Sequence, residues 1–418
     1  MTFISYQALE AIGVIETPQY TVRVEALIDS TYVTTNTPTL IIGAGPAGLA
    51  TAGRLRSLGL SFEVVEQSPH VSPSWRSHYD RLSLHTVKQL SHLPHLPFPD
   101  DYPTYVHKDD LVRYYEQYAE RFSITPHLKQ SVEDIQRTDT GKWQVRTDSG
   151  NLFEAEHVVV ATGLNRVPVW PSWPGQESFQ GEITHSQSYK NPQPFSGKRV
   201  LLIGMGNTGA ELALDMAESG IKSWIVARSP VNIVPRDING RSTQLTARQL
   251  AKLPFGIGDW LGTLIRRFYY GDLRNYGLTP SKMSPAVQLR ETGKTPVVDL
   301  GTMEQIKKGM IKIVPDIERF TETGVQFKDG QHLDFEAVVI CTGYRAKIEN
   351  FLAGAEEILD QHACPKQAIG EGKFENLYFV GFDNYKLGGL LGTIFKDSET
   401  VAQSIQRKTA HAATPSIH

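Results

Sequence analysis

Cysteine is nearly absent. The 418 residues hold two, Cys341 and Cys364, with no C-x-x-C pair. A disulfide framework is therefore excluded, and a reducing compartment is the default. Long apolar runs are missing too, since no window approaches the ~18 consecutive apolar residues of a membrane span. Met1–Tyr20 carries Glu10 and Glu16 where a secretory signal needs a basic region followed by an apolar one. The expectation is a cytoplasmic protein with no transmembrane segment. Neither charge sign is in surplus. A net charge of −3 and a pI near 6.5 argue against a nucleic-acid surface. His92 and His95 flank Pro94 and lack the i,i+4 spacing of a helical zinc pair, so no metal is predicted. What remains is an ordinary globular composition, 40% hydrophobic and 21% charged, on a chain long enough for two or three domains.

Two glycine-rich loops carry most of the information. At Thr39–Ile42 a short apolar run leads into Gly43-x-Gly45-x-x-Gly48. Residues 49–58 then have helical spacing, and Ser61–Glu66 reads as a second strand ending in an acid 18 residues after Gly48. This is a β-α-β dinucleotide fingerprint. Gly43 permits the tight turn, Gly45 lets the backbone approach a pyrophosphate, and Gly48 lets helix and strand pack, with the helix N-terminus toward the phosphates. The Glu66 carboxylate would accept ribose hydroxyls and repel a 2′-phosphate, so this loop takes NAD or FAD. Downstream, Lys198–Ile203 enters Gly204-x-Gly206-x-x-Gly209, and the strand Ser223–Ala227 ends in Arg228-Ser229, with Arg228 19 residues past Gly209. Arg228 is read as the counterpart of Glu66. A guanidinium holds a 2′-phosphate in bidentate fashion, so FAD is assigned to the first loop and NADPH to the second.

Between the loops, Phe179 to Tyr189 has the spacing F-x-G-x3-H-x3-Y. Two β-rich returns also repeat: Trp143–Gly150 leads to Val158–Gly163, and Gly324–Gly330 leads to Val338–Gly343. In each, the turn glycine precedes the final glycine by 13 residues. This is an internal duplication, and the chain left after Gly343 implies that the second unit is nested in the first. The fold class is α/β, with two Rossmann-like dinucleotide-binding domains. The expected boundaries are an unassigned extension 1–36, the first part of the FAD domain 37–166, the NADPH domain 167–335, the returning part of the FAD domain 336–408, and a disordered tail 409–418. Leu377–Phe382 reads as a strand and Gly388–Gln403 as a helix whose N-terminus would face a flavin ring. Leu111, Tyr114, Tyr115 and Tyr118 form the core stripe of a helix over 109–122. Trp260–Tyr270, the nearest thing to a membrane-surface helix, reads as a packed helix or loop.

With these residues in view, the sequence resembles the class B flavin-containing monooxygenases, and within them the YUCCA-like members. The matching stretches are the two loops, Tyr79–Leu82, Leu84-His85, Lys88-Gln89, Pro97–Pro99 with Pro103–Tyr105, the 179–189 fingerprint, Tyr276–Leu278, Gly293–Pro296 and Thr342–Arg345. The resemblance implies a flavin site that takes in Ala47, Gln67, Trp75, Arg76, Leu84, His85, Val132, Ala161, Thr162 and Gly163 beside the first loop. It implies further cofactor-binding residues in Asn207 and Thr208 of the second loop, and in Thr342, Gly343 and Tyr344 at the second return. Animal-type members place asparagine where this chain has His85. Baeyer–Villiger relatives end the fingerprint with tryptophan, where this chain has Tyr189-Lys190. Residues 1–36 are unmatched, and 383–392 depart from the family's pattern.

The resemblance further implies NADPH- and O2-dependent oxygenation through a C4a-(hydro)peroxyflavin, with a small-molecule substrate and His85 and Lys88 as active-site side chains. An arylpyruvate such as indole-3-pyruvate, decarboxylated to the arylacetate, is the substrate expected of YUCCA-like members. Alternatives are N- or S-oxygenation of a soft nucleophile, a pyridine-nucleotide disulfide reductase, and a non-catalytic nucleotide sensor. The oligomeric state stays open between monomer and homodimer.

Overall fold

A computed structural model of the chain describes residues 33–250, 256–385 and 389–413. The first sheet is built on β1 (Val33–Ile42), which runs parallel to β2 (Glu63–Glu66) on one side and to β6 (Asn151–Val160) on the other. β3 (His127–Leu128) extends the β2 edge, while β4 (Val132–Arg137) and β5 (Trp143–Thr147) run antiparallel beyond β6. Leu40, Ile41 and Ile42 are buried on both faces of the sheet, which is why this part of the strand reads as an unbroken apolar run. The strand starts six residues before the predicted Thr39, because the polar stretch from Val33 pairs with β6 from Asn151 onward. Its β-branched threonines suit a strand without marking one by hydrophobicity.

Helix α1 (Pro46–Ser57) follows β1, α2 (Pro73–Ser77) follows β2, and α3 (Lys108–Arg121) covers α1. The tyrosine stripe lies where periodicity placed it. Leu111, Tyr114, Tyr115 and Tyr118 are buried, and Gly53 of α1 leaves the space that the Tyr118 hydroxyl fills. Tyr114 is also a polar clamp: its hydroxyl donates to the Leu96 carbonyl at 2.5 Å and accepts from the Leu93 N–H at 2.8 Å.

The second sheet has the order β10-β9-β8-β14-β7, all parallel. Its strands are β7 (Glu182–His185), β8 (Val200–Ile203), β9 (Ser223–Val226), β10 (Ile311–Val314) and β14 (Ala337–Ile340). Helix α4 (Asn207–Glu218) follows β8 as α1 follows β1. An antiparallel meander of β11 (Ile317–Phe320), β12 (Gly324–Phe327) and β13 (His332–Asp334) leads into β14, as β4 and β5 lead into β6. Between β9 and β10 the chain inserts α5 (Thr243–Leu250), α6 (Ile257–Tyr270) and α7 (Pro285–Thr292), followed by α8 (Thr302–Lys307). The chain then returns to the first sheet. β15 (Leu377–Phe379) pairs with the second half of β6, and α9 (Gly389–Ala413) packs on α1.

The structure corrects two expected boundaries. Ala337–Ile340 pairs between β8 and β7 of the second sheet, so the second unit does not end at 335. The tail from Thr409 is helical to Ala413, its Thr409 hydroxyl bonding the Ile405 carbonyl; residues 414–418, like 1–32 and 386–388, lie outside the described residues. The Trp260–Tyr270 segment is helix α6, which buries Tyr270 and exposes Trp260, Leu264 and Phe268. Among the described residues no helix is long and apolar enough to cross a membrane.

Two neighbouring tyrosines should respond differently to loss of their hydroxyls. Tyr114→Phe strands the buried Leu93 N–H and should cost about 1–3 kcal/mol. The Tyr115 hydroxyl is buried with no partner among the described residues, so Tyr115→Phe should be neutral or stabilising. Urea denaturation of the two variants measures both, and equal destabilisation would contradict the assignment.

Candidate active site

The glycines of the two loops divide into two kinds. A Cβ on Gly43 would lie 2.6 Å from the Ala161 carbonyl oxygen, and one on Gly48 would collide with the Gly43 carbonyl. In the second loop a Cβ on Gly204 would lie 2.6 Å from the Cys341 carbonyl oxygen, and one on Gly209 would collide with the Gly204 carbonyl. These four glycines are demanded by the protein's own packing. The middle ones are not. A Cβ on Gly45 or Gly206 meets no protein atom within 4 Å, and both residues have ordinary backbone angles (φ −79° and −97°). Their smallness leaves room for something outside the chain. Both are N-caps without a side-chain cap, and α1 and α4 have no acid in their first turns. The exposed N–H groups and helix dipoles are fitted to phosphate, so the residues present fit a dinucleotide at each loop.

The first loop opens on a cavity of about 400 Å³. Of the residues proposed for the flavin, Gly43, Gly45, Ala47, Glu66, Gln67 and Trp75 line it from the first strands and helices. Val132, Ala161, Thr162, Gly163 and Tyr344 line it from the returns. Glu66 is 4% exposed, its carboxylate accepting N–H bonds from Ala44 (2.8 Å) and Ser68 (2.9 Å). Burial pushes its carboxyl above the ordinary value, and those N–H bonds pull the other way. Glu66 therefore also holds the loop in shape. Motif reasoning missed Gln130, Arg166 and Gln187, which line the cavity from segments without a recurring pattern; Leu390, Leu391 and Ile394 line it from the start of α9, the helix whose N-terminus was expected at the flavin.

A second cavity, of about 450 Å³, lies between His85 and Thr86 of the first unit, Asn207 at the second loop, and the inserted helices α5, α6 and α7. Among the described residues its lining includes Arg236, Arg248, Arg266, Arg290 and His85 but no aspartate or glutamate, and is otherwise largely aliphatic. Nothing in the spacing of the insert announced this wall. Its residues come from separate helices and meet only in the fold.

His85 reaches this cavity with its Nε2 2.9 Å from Oε2 of Glu211 on α4, and the Tyr79 hydroxyl donates to the same oxygen at 2.9 Å. Glu211 is 3% exposed. Burial, then the Glu211 charge, pushes the Tyr79 hydroxyl far above its ordinary pKa, so it remains a donor.

Lys88 does not join His85. Its ammonium donates to the carbonyls of Pro99 (3.3 Å), Asp100 (2.8 Å) and Tyr102 (2.6 Å), and it lines neither cavity. This corrects the expected active-site lysine: Lys88 staples the proline-rich loop. Arg76 bonds the Val71 carbonyl and pairs with Glu116, Leu84 is buried in the core, and Thr342 donates to the Val169 carbonyl. Gly343 takes φ +82° beside that contact. Thr208 lies in the first turn of α4, and Arg228 and Ser229 are exposed just beyond β9.

The register also corrects the Arg228 equivalence. Ile42 pairs with Val65 and Ile203 with Val226, so the residue in Glu66's place is Ala227, and Arg228 stands one further on, where the first unit has Gln67. The acid is still absent from the second strand end, and a cation still follows it. Cys341 is fully buried with its thiol pushed up to about 12, and both it and Cys364 are free, which leaves the disulfide-reductase alternative without a redox pair.

The profile of the flavin-binding monooxygenase-like family matches residues 40–362. The chain belongs to that family. Among curated relatives, it is 39% identical over 399 residues to the probable indole-3-pyruvate monooxygenase YUCCA9 of Arabidopsis thaliana, covering 90% of this chain and 94% of the relative. To the indole-3-pyruvate monooxygenase YUCCA1 of Oryza sativa subsp. japonica it is 38% identical, covering 88% and 90%. Among solved structures, cyclohexanone monooxygenase from Rhodococcus sp. Phi1 bound to NADP+ superposes with a TM-score of 0.71 at 18% identity, covering 90% and 85%, and shares the fold. The protein is thus a flavin-dependent monooxygenase, with FAD as its flavin.

FAD retention distinguishes the two kinds of glycine. Gly45→Ala should fold with the apoprotein's melting temperature unchanged yet retain about tenfold less FAD, a loss of ~1.4 kcal/mol. Gly48→Ala should fail to fold stably. Full FAD occupancy in purified Gly45→Ala would mean that no ligand approaches Gly45.

Proposed function

We propose that the enzyme uses NADPH and O2 to convert an aromatic 2-oxo acid, such as indole-3-pyruvate, to the arylacetate and CO2. The observation that carries this reading is the second cavity, where four arginines and His85 stand in a largely aliphatic lining with no carboxylate among the described residues. Such a site suits an apolar ring bearing an anionic group, and the relatives named above are indole-3-pyruvate monooxygenases. The reaction balances as arylpyruvate, NADPH, O2 and a proton giving arylacetate, CO2, NADP+ and water.

In this reading the first unit, strands β1 to β6 with the chain from about 344 onward, holds FAD through the Gly43–Gly48 loop, Glu66 and the Ala161–Gly163 turn. The segment from about 167 to 343 holds NADPH, with Gly204–Gly209 at the pyrophosphate and Arg228 and Ser229 at the 2′-phosphate. When bound, the flavin supplies hydride acceptance from NADPH and activation of O2. The protein's own part is to orient the substrate, exclude water and place charge. His85, its Nε2 held by Glu211, presents the rest of its ring to the cavity.

Oxygen uptake in the presence of NADPH tests the reading. Indole-3-pyruvate and phenylpyruvate should accelerate it and release one CO2 per NADPH consumed, with little peroxide. If only thioethers or tertiary amines couple NADPH oxidation to product, the 2-oxo acid reading fails and N- or S-oxygenation replaces it.

The coenzyme assignment has its own check. Arg228→Ala should raise KM for NADPH about tenfold, ~1.4 kcal/mol, and leave that for NADH little changed. Equal changes for both coenzymes would remove Arg228 from the 2′-phosphate.

A further inference from the structure

Most half-buried guanidiniums of this protein face a carboxylate. Arg54 feels Glu399, Arg81 feels Glu218 and Asp215, and Arg166 feels Glu349. Arg266 does not. It stands on α6 at the wall of the second cavity, and burial lowers its pKa with no acid among the described residues opposing the shift. Of the other arginines in that wall, Arg236 is paired with Asp237 at 3.0 Å and lies over the Tyr105 ring, while Arg248 and Arg290 are exposed.

What holds Arg266 is neutral and directional. Its Nη1 donates to Oδ1 of Asn232, a side chain only 1% exposed. Asn232 in turn donates through Nδ2 to the Met283 carbonyl (3.1 Å) and to Oε1 of Gln288 (3.0 Å). Gln288 is fixed by donating through Nε2 to the Lys294 carbonyl at 3.4 Å. The Asn232 amide has one sense, because reversing it would set its NH2 against the guanidinium and its Oδ1 against the Met283 carbonyl and Gln288 Oε1. The relay aims a cation at the cavity and supplies no countercharge. A charge withdrawn from water without a counterion is costly, and a planar guanidinium matches a carboxylate through two parallel N–H bonds.

We propose that Arg266, oriented by Asn232 and Gln288, is the anchor for the substrate's carboxylate. The proposal rests on the 2-oxo acid reading for the identity of the substrate and on the relay for the identity of the anchor. It also assigns Asn232 and Gln288 as positioning residues, which act through Arg266.

The FAD-loaded enzyme tests it by two measurements on Arg266→Gln and Arg266→Lys, with melting temperature as the folding control. The first is equilibrium binding of indole-3-acetate against its neutral amide, indole-3-acetamide. Arg266→Gln should weaken the carboxylate about 100-fold, the scale of a charge-assisted bond, and leave the amide's affinity where it was, while Arg266→Lys should recover part of the loss. The second is KM for indole-3-pyruvate, which should rise in parallel and by more than KM for NADPH. Unchanged binding of indole-3-acetate in Arg266→Gln overturns the anchor whatever turnover does. A rise in KM for NADPH as large as that for the pyruvate also overturns it, assigning Arg266 to the coenzyme phosphate. If the wild type fails to turn over arylpyruvates but the binding difference appears, the anchor stands for another aryl carboxylate and the 2-oxo acid reading falls.

Discussion

Oε2 of Glu211 accepts hydrogen bonds from Tyr79 and His85 across the joint between the two dinucleotide units, on a side chain 3% exposed. The arrangement continues along the same helix. Asp215 accepts from Tyr189 at 2.8 Å and from Arg81 at 3.3 Å, and Glu218 accepts from Arg81 at 2.8 Å. Glu211, Asp215 and Glu218 are spaced four and three residues apart, so they share one face of α4. That face belongs to the helix whose N-terminus carries the second glycine loop. Whatever holds the acids therefore also fixes where the second nucleotide lies relative to the first. Much of the adhesion at this joint is apolar, since Tyr79 and Leu82 sit in one cluster with Tyr189, Phe195 and the second sheet. Buried charge pairs add little net strength. Their contribution here is orientation, because only one docking angle satisfies the Tyr79, Arg81 and His85 donors together.

The fingerprint at 179–189 takes on a physical meaning in this light. Phe179 packs on Phe320, and a Cβ on Gly181 would lie 2.5 Å from the Phe179 ring and 2.8 Å from the Glu336 carbonyl oxygen. His185 ends β7, buried, and its Nδ1 accepts the Gln187 N–H at 3.1 Å. Tyr189 closes the segment on Asp215. Rather than a bare linker between domains, the segment is the edge strand of the second sheet and one wall of the joint.

The loops, the tyrosine stripe and the duplication were legible because each rests on local sterics or on helical or strand periodicity. A glycine whose Cβ would strike the Ala161 or Cys341 carbonyl has a local signature, and so does a helix that buries residues 111, 114, 115 and 118. Register was less legible. Counting from Gly209 suggested Arg228 opposite Glu66, whereas the strand pairing puts Ala227 there. Lys88 shows the limit of carrying a role by resemblance, because a lysine's reach is settled by which carbonyls lie near, and those of 99–102 do. The second cavity was not legible at all. Its lining is assembled from three inserted helices and from segments around 85, 207, 235, 296 and 384, whose residues have no common spacing.

The charges of the molecule are sorted rather than mixed. The acids of α4 are consumed at the joint by Tyr79, Arg81, His85 and Tyr189, while the cavity beside them has, among the described residues, arginines and no carboxylate. A cation-lined, largely aliphatic space on a chain of net charge −3 suits a ligand with an apolar body and an anionic group. Glu211 itself does not line the cavity, since its carboxylate is covered and its Oε2 accepts from Tyr79 and His85. The same contact that orients the two nucleotide units thus holds a histidine at the cavity edge and engages the Glu211 carboxylate at the joint. Docking geometry and anion preference share one structural cause.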